Sequence, residues 1–236
     1  MLESKSQDRP PLAHIERQAY FDRYWIRRDY LRTDRRTMER AQLIWSNLVR
    51  RRGHALDVGC GRGLFAAFLT EQGLTVDATD ISPQAVELTS QRGINAYLLD
   101  LETQAPLGEF DLVFCLEVVQ QVRDPEATLR RLASVLSEQG EIVVSVPNEF
   151  HVWRRLQIAL GRVDFGDVDD SHIKLFTPAR GHDLLQRVGL EIRKTVYPSI
   201  ISPQSALWSR AGRRLAGVWP AGMAISSIYF ARKVTS

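Results

Sequence analysis

Short apolar runs alternate with helix-forming segments between His54 and Pro147, and no other feature of the chain constrains its fold as strongly. Glycine or proline separates the runs, and the Ser82-Pro83 and Asp124-Pro125 pairs are typical starts of helices. Strands that alternate with helices at this spacing form βαβ units around a parallel sheet. Since such crossovers are right-handed, the sequence predicts an open, doubly wound α/β sheet with its binding site at the carboxyl ends of the strands.

The apolar periodicity also predicts the bounds of the elements. Strands are expected at 54–58, 75–79, 94–99, 110–116, 140–146, 190–197 and 225–231. Helices are expected at about 15–50, 63–72, 82–91, 124–136 and 177–188. Residues 1–13 are typical of a loose polar leader, and residues 148–176 hold no clean strand and are expected to form a lid insertion.

The composition narrows the class of protein. The chain has 236 residues, of which 44% are hydrophobic and 25% charged, which favours one globular domain with a short appendage. No apolar stretch approaches the roughly 18 residues of a spanning helix. The start of the chain has no apolar core of a secretory signal, and only two cysteines are present, so a cytoplasmic setting is expected. No histidine pair has the spacing of a zinc site, so no metal is predicted.

Positive charge is concentrated near the start of the chain. Residues 14–52 contain eleven arginines against five acidic residues, an excess of six positive charges in a chain whose net charge is +3. Five aromatic residues lie in the first half of this segment: Tyr20, Phe21, Tyr24, Trp25 and Tyr30. Residues 207–215 repeat the combination of arginine and tryptophan. The segment is either a solvated helix whose aromatics pack inward, or a surface for anionic lipid or an anionic substrate.

A glycine loop follows the first predicted strand, in the sequence Leu56-Asp57-Val58-Gly59-Cys60-Gly61-Arg62-Gly63. Glycine at alternate positions permits a tight turn with positive φ and lets a ligand approach the backbone. A plain strand-to-helix turn is the alternative. Asp80 favours a binding loop, because it ends the second strand 21 residues after Gly59, where a carboxylate can accept hydrogen bonds from both ribose hydroxyls of an adenosine.

The spacing of the glycines separates two classes of cofactor. Dinucleotide sites have the pattern G-x-G-x-x-G, whereas this loop is G-x-G-x-G with the acidic Asp57 before it. A carboxylate at the mouth of the loop would repel a pyrophosphate. S-adenosylmethionine carries no phosphate, and its ammonium group suits Asp57. The residues therefore favour S-adenosylmethionine over NAD.

Five motifs in order resemble those of class I S-adenosylmethionine-dependent methyltransferases, in the group of the ubiquinone-biosynthesis O-methyltransferases. The resemblance covers about residues 40–195 and the final strand. The motifs are Leu56–Gly63, Thr79–Ser82, Leu99–Leu101, Phe110–Leu116 and Gly140–Asn148. The resemblance implies a Rossmann-like, seven-stranded sheet with an antiparallel last strand. It divides the chain into a leader and basic helix (1–52) and a methyltransferase domain (53–236).

The resemblance also implies the residues that contact the cofactor. Arg40 stands where some relatives place an arginine against the cofactor carboxylate. Cys60 and Cys115 are expected to line the pocket as small, half-apolar side chains. The full set of expected cofactor residues is Arg40, Asp57, Gly59, Cys60, Gly61, Gly63, Asp80, Ile81, Asp100, Leu101, Cys115 and Leu116.

One segment departs from the family pattern. Many relatives read Leu-Glu-His-Val after the fourth strand, where this chain has Val119-Gln120-Gln121-Val122. Neither amide can take up a proton, so no general base is expected at this position. The Gln121–Pro125 stretch, and residues 148–160, resemble MetW proteins of methionine biosynthesis. That resemblance implies a rival function, a partner protein of the methyltransferase fold with little or no methyl transfer.

The acceptor is expected to be a small molecule with a hydroxyl group, including a lipid-linked or quinone-like one. His172 is the candidate base, because residues 169–177 resemble the stretch that borders the acceptor pocket in relatives; a histidine that caps a loop is the alternative. A nucleic-acid acceptor is disfavoured, since Cys115-Leu116-Glu117-Val118 replaces the Asn/Asp-Pro-Pro-aromatic motif of enzymes that methylate base amines. The sequence makes no prediction of the oligomeric state.

Overall fold

A computed structural model describes residues 14–27, 30–162, 171–199, 212 and 214–234. Seven strands form one sheet. They are β1 (His54–Val58), β2 (Thr75–Asp80), β3 (Asn95–Leu98), β4 (Phe110–Leu116), β5 (Leu136–Pro147), β6 (Leu190–Val196) and β7 (Ser226–Lys233). Their order across the sheet is β3-β2-β1-β4-β5-β7-β6. Only β7 runs antiparallel to its neighbours, β5 and β6, which confirms the predicted fold class.

Helices cover the sheet. They are α1 (His14–Arg27), α2 (Tyr30–Asn47), α3 (Leu64–Glu71), α4 (Pro83–Ser90), α5 (Pro125–Ser134), α6 (Val152–Ala159), α7 (Pro178–Arg187) and α8 (Pro220–Met223), with a 3₁₀ turn at Val119–Gln121. The caps predicted at Ser82 and Asp124 are present, and Thr177 caps α7 in the same way: each side chain accepts a backbone N–H from the first turn of the helix that follows. None of the helices in the described ranges is long and apolar enough to cross a membrane.

Adjacent residues of the central strands enter cores on opposite faces of the sheet. In β1, Leu56 packs in the core beneath α5 and α7, whereas Ala55 packs in the core beneath α2 and α3. In β4, Val113 belongs to the first core and Phe114 to the second. Because both faces are covered, the strands are continuous apolar runs rather than alternating ones.

Several predicted bounds were wrong. The helix predicted at 15–50 is present as α1 and α2, with residues 28 and 29 between them outside the described residues, and α2 ends at Asn47, well before Gly53. It ends there because the Val49 N–H donates to the Glu141 carboxylate of β5, at 3.2 Å. β5 begins at Leu136 rather than 140, and β3 is shorter than predicted. The insertion at 148–176 contains α6, while residues 163–170 within it, and the leader 1–13, lie outside the described residues.

Candidate active site

A cavity of about 340 Å³ opens at the carboxyl ends of β1, β2 and β4. It lies at the boundary between β1 and β4, where the strand order switches from one side of the sheet to the other. This switch point is the expected binding position in a doubly wound sheet. Most of the predicted cofactor residues line it, namely Arg40, Asp57, Gly59, Cys60, Asp80, Ile81, Asp100, Leu101 and Leu116. The predicted base His172 lines the same cavity.

The glycine loop has the backbone that its sequence predicts. Gly59, Gly61 and Gly63 have φ of 70°, 55° and 71°. A Cβ at Gly59 would lie 2.4 Å from Val118 Cγ2, and one at Gly63 would lie 2.8 Å from Thr89 Oγ1. Gly59 lines the cavity itself, whereas Gly61 and Gly63 shape the loop behind the lining. Any larger residue at these positions would strain the turn.

Asp80 is held by the loop that it faces. Its Oδ2 accepts a hydrogen bond from the Gly61 N–H and its Oδ1 accepts one from the Ser82 N–H, both at 2.9 Å. Burial raises the pKa of the Asp80 carboxyl to about 6, and these backbone donors limit the rise. The carboxylate is thus fixed at the end of β2, where it can accept further hydrogen bonds from a ligand hydroxyl.

Asp57 differs from Asp80 in having an unsatisfied oxygen. The residue is 3% exposed, and its Oδ2 has no hydrogen-bond partner among the described residues. Burial, and then the nearby Asp80 charge, raise the pKa of the Asp57 carboxyl to about 7. A buried carboxylate oxygen without a partner is costly, and a cationic ligand in the cavity would satisfy it.

Helix α1 forms one wall of the cavity through two residues that were not among the predicted site residues. Arg17 and Phe21 line the cavity and are 7% and 8% exposed. The Arg17 guanidinium lies 2.9 Å from Glu102 Oε2 and 4.0 Å from Asp100 Oδ1. The basic and aromatic pattern was the available signal, and for Phe21 the inward-packing alternative is the correct one. The side chains of Tyr24, Trp25 and Tyr30, and residues 207–211, lie outside the described parts of the chain.

Arg40 lines the cavity as predicted but already has a carboxylate partner. Its Nη1 lies 3.3 Å from Glu117 Oε1, which also accepts a hydrogen bond from Ser145 Oγ at 2.9 Å. Glu117 has a φ of 59°, the only positive value recorded for a non-glycine residue in the described ranges. Glu117 follows β4 directly, so its position at a carboxyl strand end was the signal that could have identified it.

The two cysteines occupy different environments. Cys60 lines the cavity, and its Sγ lies 3.4 Å from Thr89 Oγ1. Cys115 is fully buried in the core under α5 and does not line the cavity, so its predicted role in the lining was wrong. The sequence could not assign its face, because both faces of β4 are apolar. Burial raises the pKa of Cys115 to about 12 and raises that of Cys60 as well, so both thiols stay protonated.

His172 lies between a carboxylate and an amide. Its Nδ1 is 2.9 Å from Glu149 Oε1, and its Nε2 is 3.3 Å from Gln120 Nε2. Gln120 is fully buried, and its backbone carbonyl accepts the N–H groups of Ile173 and Lys174. Gln121 Nε2 donates to Ser171 Oγ at 3.1 Å. The two glutamines that depart from the family pattern therefore hold the segment that carries His172.

The other histidines whose side chains are described have local partners. His54 contacts Asp77, His151 caps α6, and His182 lies near Asp183. Within the described ranges, no group of three or more His, Cys, Asp or Glu residues is arranged to hold a metal ion.

The fold and the cavity define a Rossmann-like methyltransferase domain, and comparison with known families agrees. A family model described as a methyltransferase domain matches residues 27–195. The match covers most of the chain, so the chain belongs to the methyltransferase domain family. This confirms the family to which the five motifs pointed.

Curated relatives match part of the chain. The ubiquinone biosynthesis O-methyltransferase of Xanthomonas euvesicatoria pv. vesicatoria is 33% identical over an alignment of 102 residues, and the match covers 39% of this chain and 42% of that protein. The same enzyme of Idiomarina loihiensis is 36% identical over 101 residues, with the same coverage. The match therefore spans less than half the length of these relatives.

Solved structures share the fold over nearly their whole length. A SAM-dependent methyltransferase of Thermotoga maritima, described as a possible histamine N-methyltransferase, has a TM-score of 0.67 at 17% identity, with 92% of this chain and 99% of that chain covered. Magnesium protoporphyrin IX methyltransferase from Synechocystis PCC 6803, solved with bound SAH, has a TM-score of 0.65 at 17% identity, with 94% and 100% covered. At this identity the likeness concerns the fold alone.

Proposed function

We propose that this chain is an S-adenosylmethionine-dependent methyltransferase. The observation that carries the proposal is the pair of buried carboxylates, Asp57 and Asp80, at the carboxyl ends of β1 and β2 in the wall of one cavity. Asp57 has an oxygen without a partner, which suits the ammonium of S-adenosylmethionine, and Asp80 is placed for its ribose hydroxyls. Two carboxylates here disfavour the pyrophosphate of NAD. The motifs, the family match and the SAM-dependent relatives support the same cofactor.

The remaining cavity residues complete the cofactor site. Asp100 and Leu101 follow β3 and are assigned to the adenine side, next to Ile81. Gly59, Cys60 and Leu116 form the floor at the ends of β1 and β4. Arg40 is assigned to the cofactor carboxylate. Its guanidinium already pairs with the Glu117 carboxylate, which therefore competes with the cofactor for Arg40.

In methyl transfer, the main contribution of the protein is to align the methyl donor with the acceptor. S-adenosylmethionine supplies an activated methyl group on a sulfonium, and the cavity residues orient it toward the acceptor. We assign the acceptor as a small molecule with a hydroxyl group, because a hydroxyl benefits from a base and His172 lines the cavity. Nε2 of His172 takes the hydroxyl proton. The O-methyltransferase names of the curated relatives support this class of acceptor.

The cofactor assignment is tested by calorimetric titration with S-adenosylmethionine, S-adenosylhomocysteine and NAD. We expect binding of the first two and none of NAD. Asp80→Asn should weaken S-adenosylmethionine binding at least about tenfold, since hydrogen bonds to a charged group contribute about 1.5–3 kcal/mol. Asp77→Asn is the matched control, because Asp77 lies on the same strand but outside the cavity lining. Equal affinities for wild type and Asp80→Asn would contradict the assignment.

The base is tested by turnover, measured as release of S-adenosylhomocysteine with hydroxyl, thiol and amine acceptors. With a hydroxyl acceptor, His172→Gln should lower turnover by about a hundredfold or more. Full turnover of this variant would remove His172 from the mechanism. Faster turnover with amines than with hydroxyls would instead show that the acceptor is an amine, which needs no base.

A second candidate function is a MetW-like partner protein of the methyltransferase fold. The observation that favours it is that Gln120 and Gln121 hold the loop at 171–174 and offer no proton acceptor at the position where relatives read Glu-His. Tight cofactor binding without methyl transfer to any acceptor would support this candidate. Catalytic turnover excludes it.

We propose that the protein reaches its acceptor at a lipid surface through α6 rather than α1. Trp153, Leu156 and Leu160 share one side of α6 and its C-cap and are 59%, 46% and 58% exposed. Arg155 and Arg162 are exposed beside them. Exposed apolar and basic side chains on a helix next to the cavity are complementary to an anionic bilayer. This peripheral contact fits a lipid-linked acceptor.

A further inference from the structure

The Glu149 carboxylate and the His172 ring form a pair at the edge of the cavity. Both side chains are almost buried, 12% and 11% exposed, and Glu149 Oε1 lies 2.9 Å from His172 Nδ1. The second carboxylate oxygen, Oε2, lies 3.8 Å from Nη2 of Arg154 on α6. Each oxygen of the Glu149 carboxylate therefore faces a nitrogen.

The backbone around Glu149 is fixed from two directions. The Glu149 N–H donates to the Phe176 carbonyl at 3.2 Å, on the segment that leads from His172 into α7. The preceding residue, Asn148, is 3% exposed; its Nδ2 donates to the Ala224 carbonyl at 2.9 Å and its Oδ1 accepts the Phe150 N–H at 3.1 Å. These hydrogen bonds hold the backbone that carries the carboxylate rigidly at the end of β5.

Two independent contacts assign the same tautomer to the His172 ring. A carboxylate only accepts hydrogen bonds, so Nδ1 carries the proton that faces Glu149, and in the neutral ring Nε2 then carries the lone pair. On the other side, the Gln120 amide nitrogen donates to the Glu117 carbonyl at 2.9 Å, which fixes the orientation of the amide. The second N–H of this amide has two acceptors within reach, Nε2 of His172 at 3.3 Å and Glu117 Oε2 at 3.4 Å, and it can donate to the nearer one only if Nε2 carries a lone pair.

We propose that Glu149 is the positioning residue of this site, which holds His172 in the Nδ1–H tautomer so that Nε2 is the proton acceptor for the substrate. This rests on the proposed function. In the step, the hydroxyl O–H bond breaks and its proton goes to Nε2, while the oxygen electron pair forms the bond to the methyl carbon. The carbon–sulfur bond breaks, and its electron pair leaves a neutral thioether on the cofactor. The Glu149 carboxylate stabilises the imidazolium that forms.

The orientation of the neighbouring amide gives Gln120 a part in the same arrangement. Its N–H interacts favourably with Nε2 only while Nε2 is unprotonated. Glu149 favours the charged ring and Gln120 the neutral ring, so the two neighbours oppose each other. A ring held this way can take a proton during transfer and release it afterwards.

The test is the ring nitrogen spectrum of His172, recorded by long-range ¹H–¹⁵N correlation on the full chain above neutral pH. His172→Gln identifies the signals among the five histidines. In the wild type we expect a protonated Nδ1 and an unprotonated Nε2. Glu149→Ala should add a population of the Nε2–H tautomer, because only the Gln120 contact then favours Nδ1–H, whereas Glu149→Gln should keep the Nδ1–H tautomer, because its amide oxygen can still accept. Glu191→Ala, on the exposed face of β6, is the control that should change nothing.

Cofactor titration separates this proposal from the proposed function. Glu149→Ala should bind S-adenosylmethionine as the wild type does, because Glu149 does not line the cofactor side of the cavity. An Nε2–H tautomer in the wild type, or a spectrum that Glu149→Ala leaves unchanged, would overturn the positioning role even if the cofactor binds. Loss of cofactor binding in Glu149→Ala would show a structural role instead. Failure of the wild type to bind the cofactor would refute the proposed function while leaving the tautomer measurable.

Discussion

At the scale of single residues, the ionised Asp57 carboxylate lowers the stability of the folded chain but favours binding of a cationic ligand. The pKa of its carboxyl is about 7 in the folded chain, above the ordinary value of 3.8, so the native state holds a proton that the unfolded chain has lost between those pH values. Ionised Asp57 therefore costs stability, and the full cost is present above pH 7. A shift of one pKa unit corresponds to about 1.4 kcal/mol, so ionised Asp57 lowers the free energy of unfolding by at most about 4 kcal/mol.

Asp57→Asn should raise the melting temperature by several degrees at pH 8, when no cofactor is present, and change it little near pH 4. The same variant should bind S-adenosylmethionine more weakly. In the wild type, affinity should fall as the pH drops below about 7, because protonated Asp57 cannot pair with an ammonium, and Asp80 should add to the loss near pH 6. Thermal scans and titrations across this range are the measurements. A less stable Asp57→Asn at pH 8 would contradict the argument.

At the scale of elements, α1 closes the cofactor cavity through two polar attachments. Arg17 pairs with Glu102 on the segment after β3, and Asp22 accepts a hydrogen bond from the Ser82 hydroxyl at the start of α4. The Gln84 N–H, at 3.4 Å, faces the same Asp22 oxygen. Since α1 carries Arg17 and Phe21 into the lining, its attachment should decide how long the cofactor stays bound.

Arg17→Met should speed dissociation of S-adenosylmethionine and weaken its binding by about tenfold, because it removes the nearly buried partner at 2.9 Å and leaves Glu102 only the more exposed Arg123, whose Nε lies 3.9 Å away. Stopped-flow displacement and calorimetry measure the two effects. The double variant Arg17→Met with Glu102→Gln should bind S-adenosylmethionine no more weakly than Arg17→Met alone, since Arg17→Met has already removed the ion pair. Additive losses, or unchanged dissociation, would show that α1 is not attached in this way.

At the scale of the whole molecule, the exposed side of α6 should decide where the protein works. The full chain should co-sediment with vesicles that contain anionic lipid, and the binding should fade as salt rises. Trp153→Ser with Leu156→Ser should abolish it. Val49→Ser is the matched control, because Val49 is 68% exposed but precedes the amino end of β1, whereas α6 follows the carboxyl end of β5. Absence of sedimentation at low salt would direct the search for the acceptor to soluble metabolites.

Local pattern by itself determined the order of strands and helices, the helix caps and the glycine loop. Those features depend on periods of a few residues and on turn chemistry at Gly59, Ser82 and Asp124. Asp80 was predictable too, because the handedness of βαβ units fixes which strand ends meet. The antiparallel position of β7 followed from the family resemblance rather than from the residues.

Only the tertiary structure decided which distant side chains share the cavity. Glu149 and His172 are 23 residues apart, and they meet because β5 ends beside the segment that Gln120 holds. Arg17 reaches Glu102 because α1 packs across the carboxyl edge of the sheet. The face of Cys115 was equally beyond the sequence, since a strand buried on both sides shows no alternation. Packing between elements has no sequence period, so these contacts exist only once the sheet and its helices have assembled.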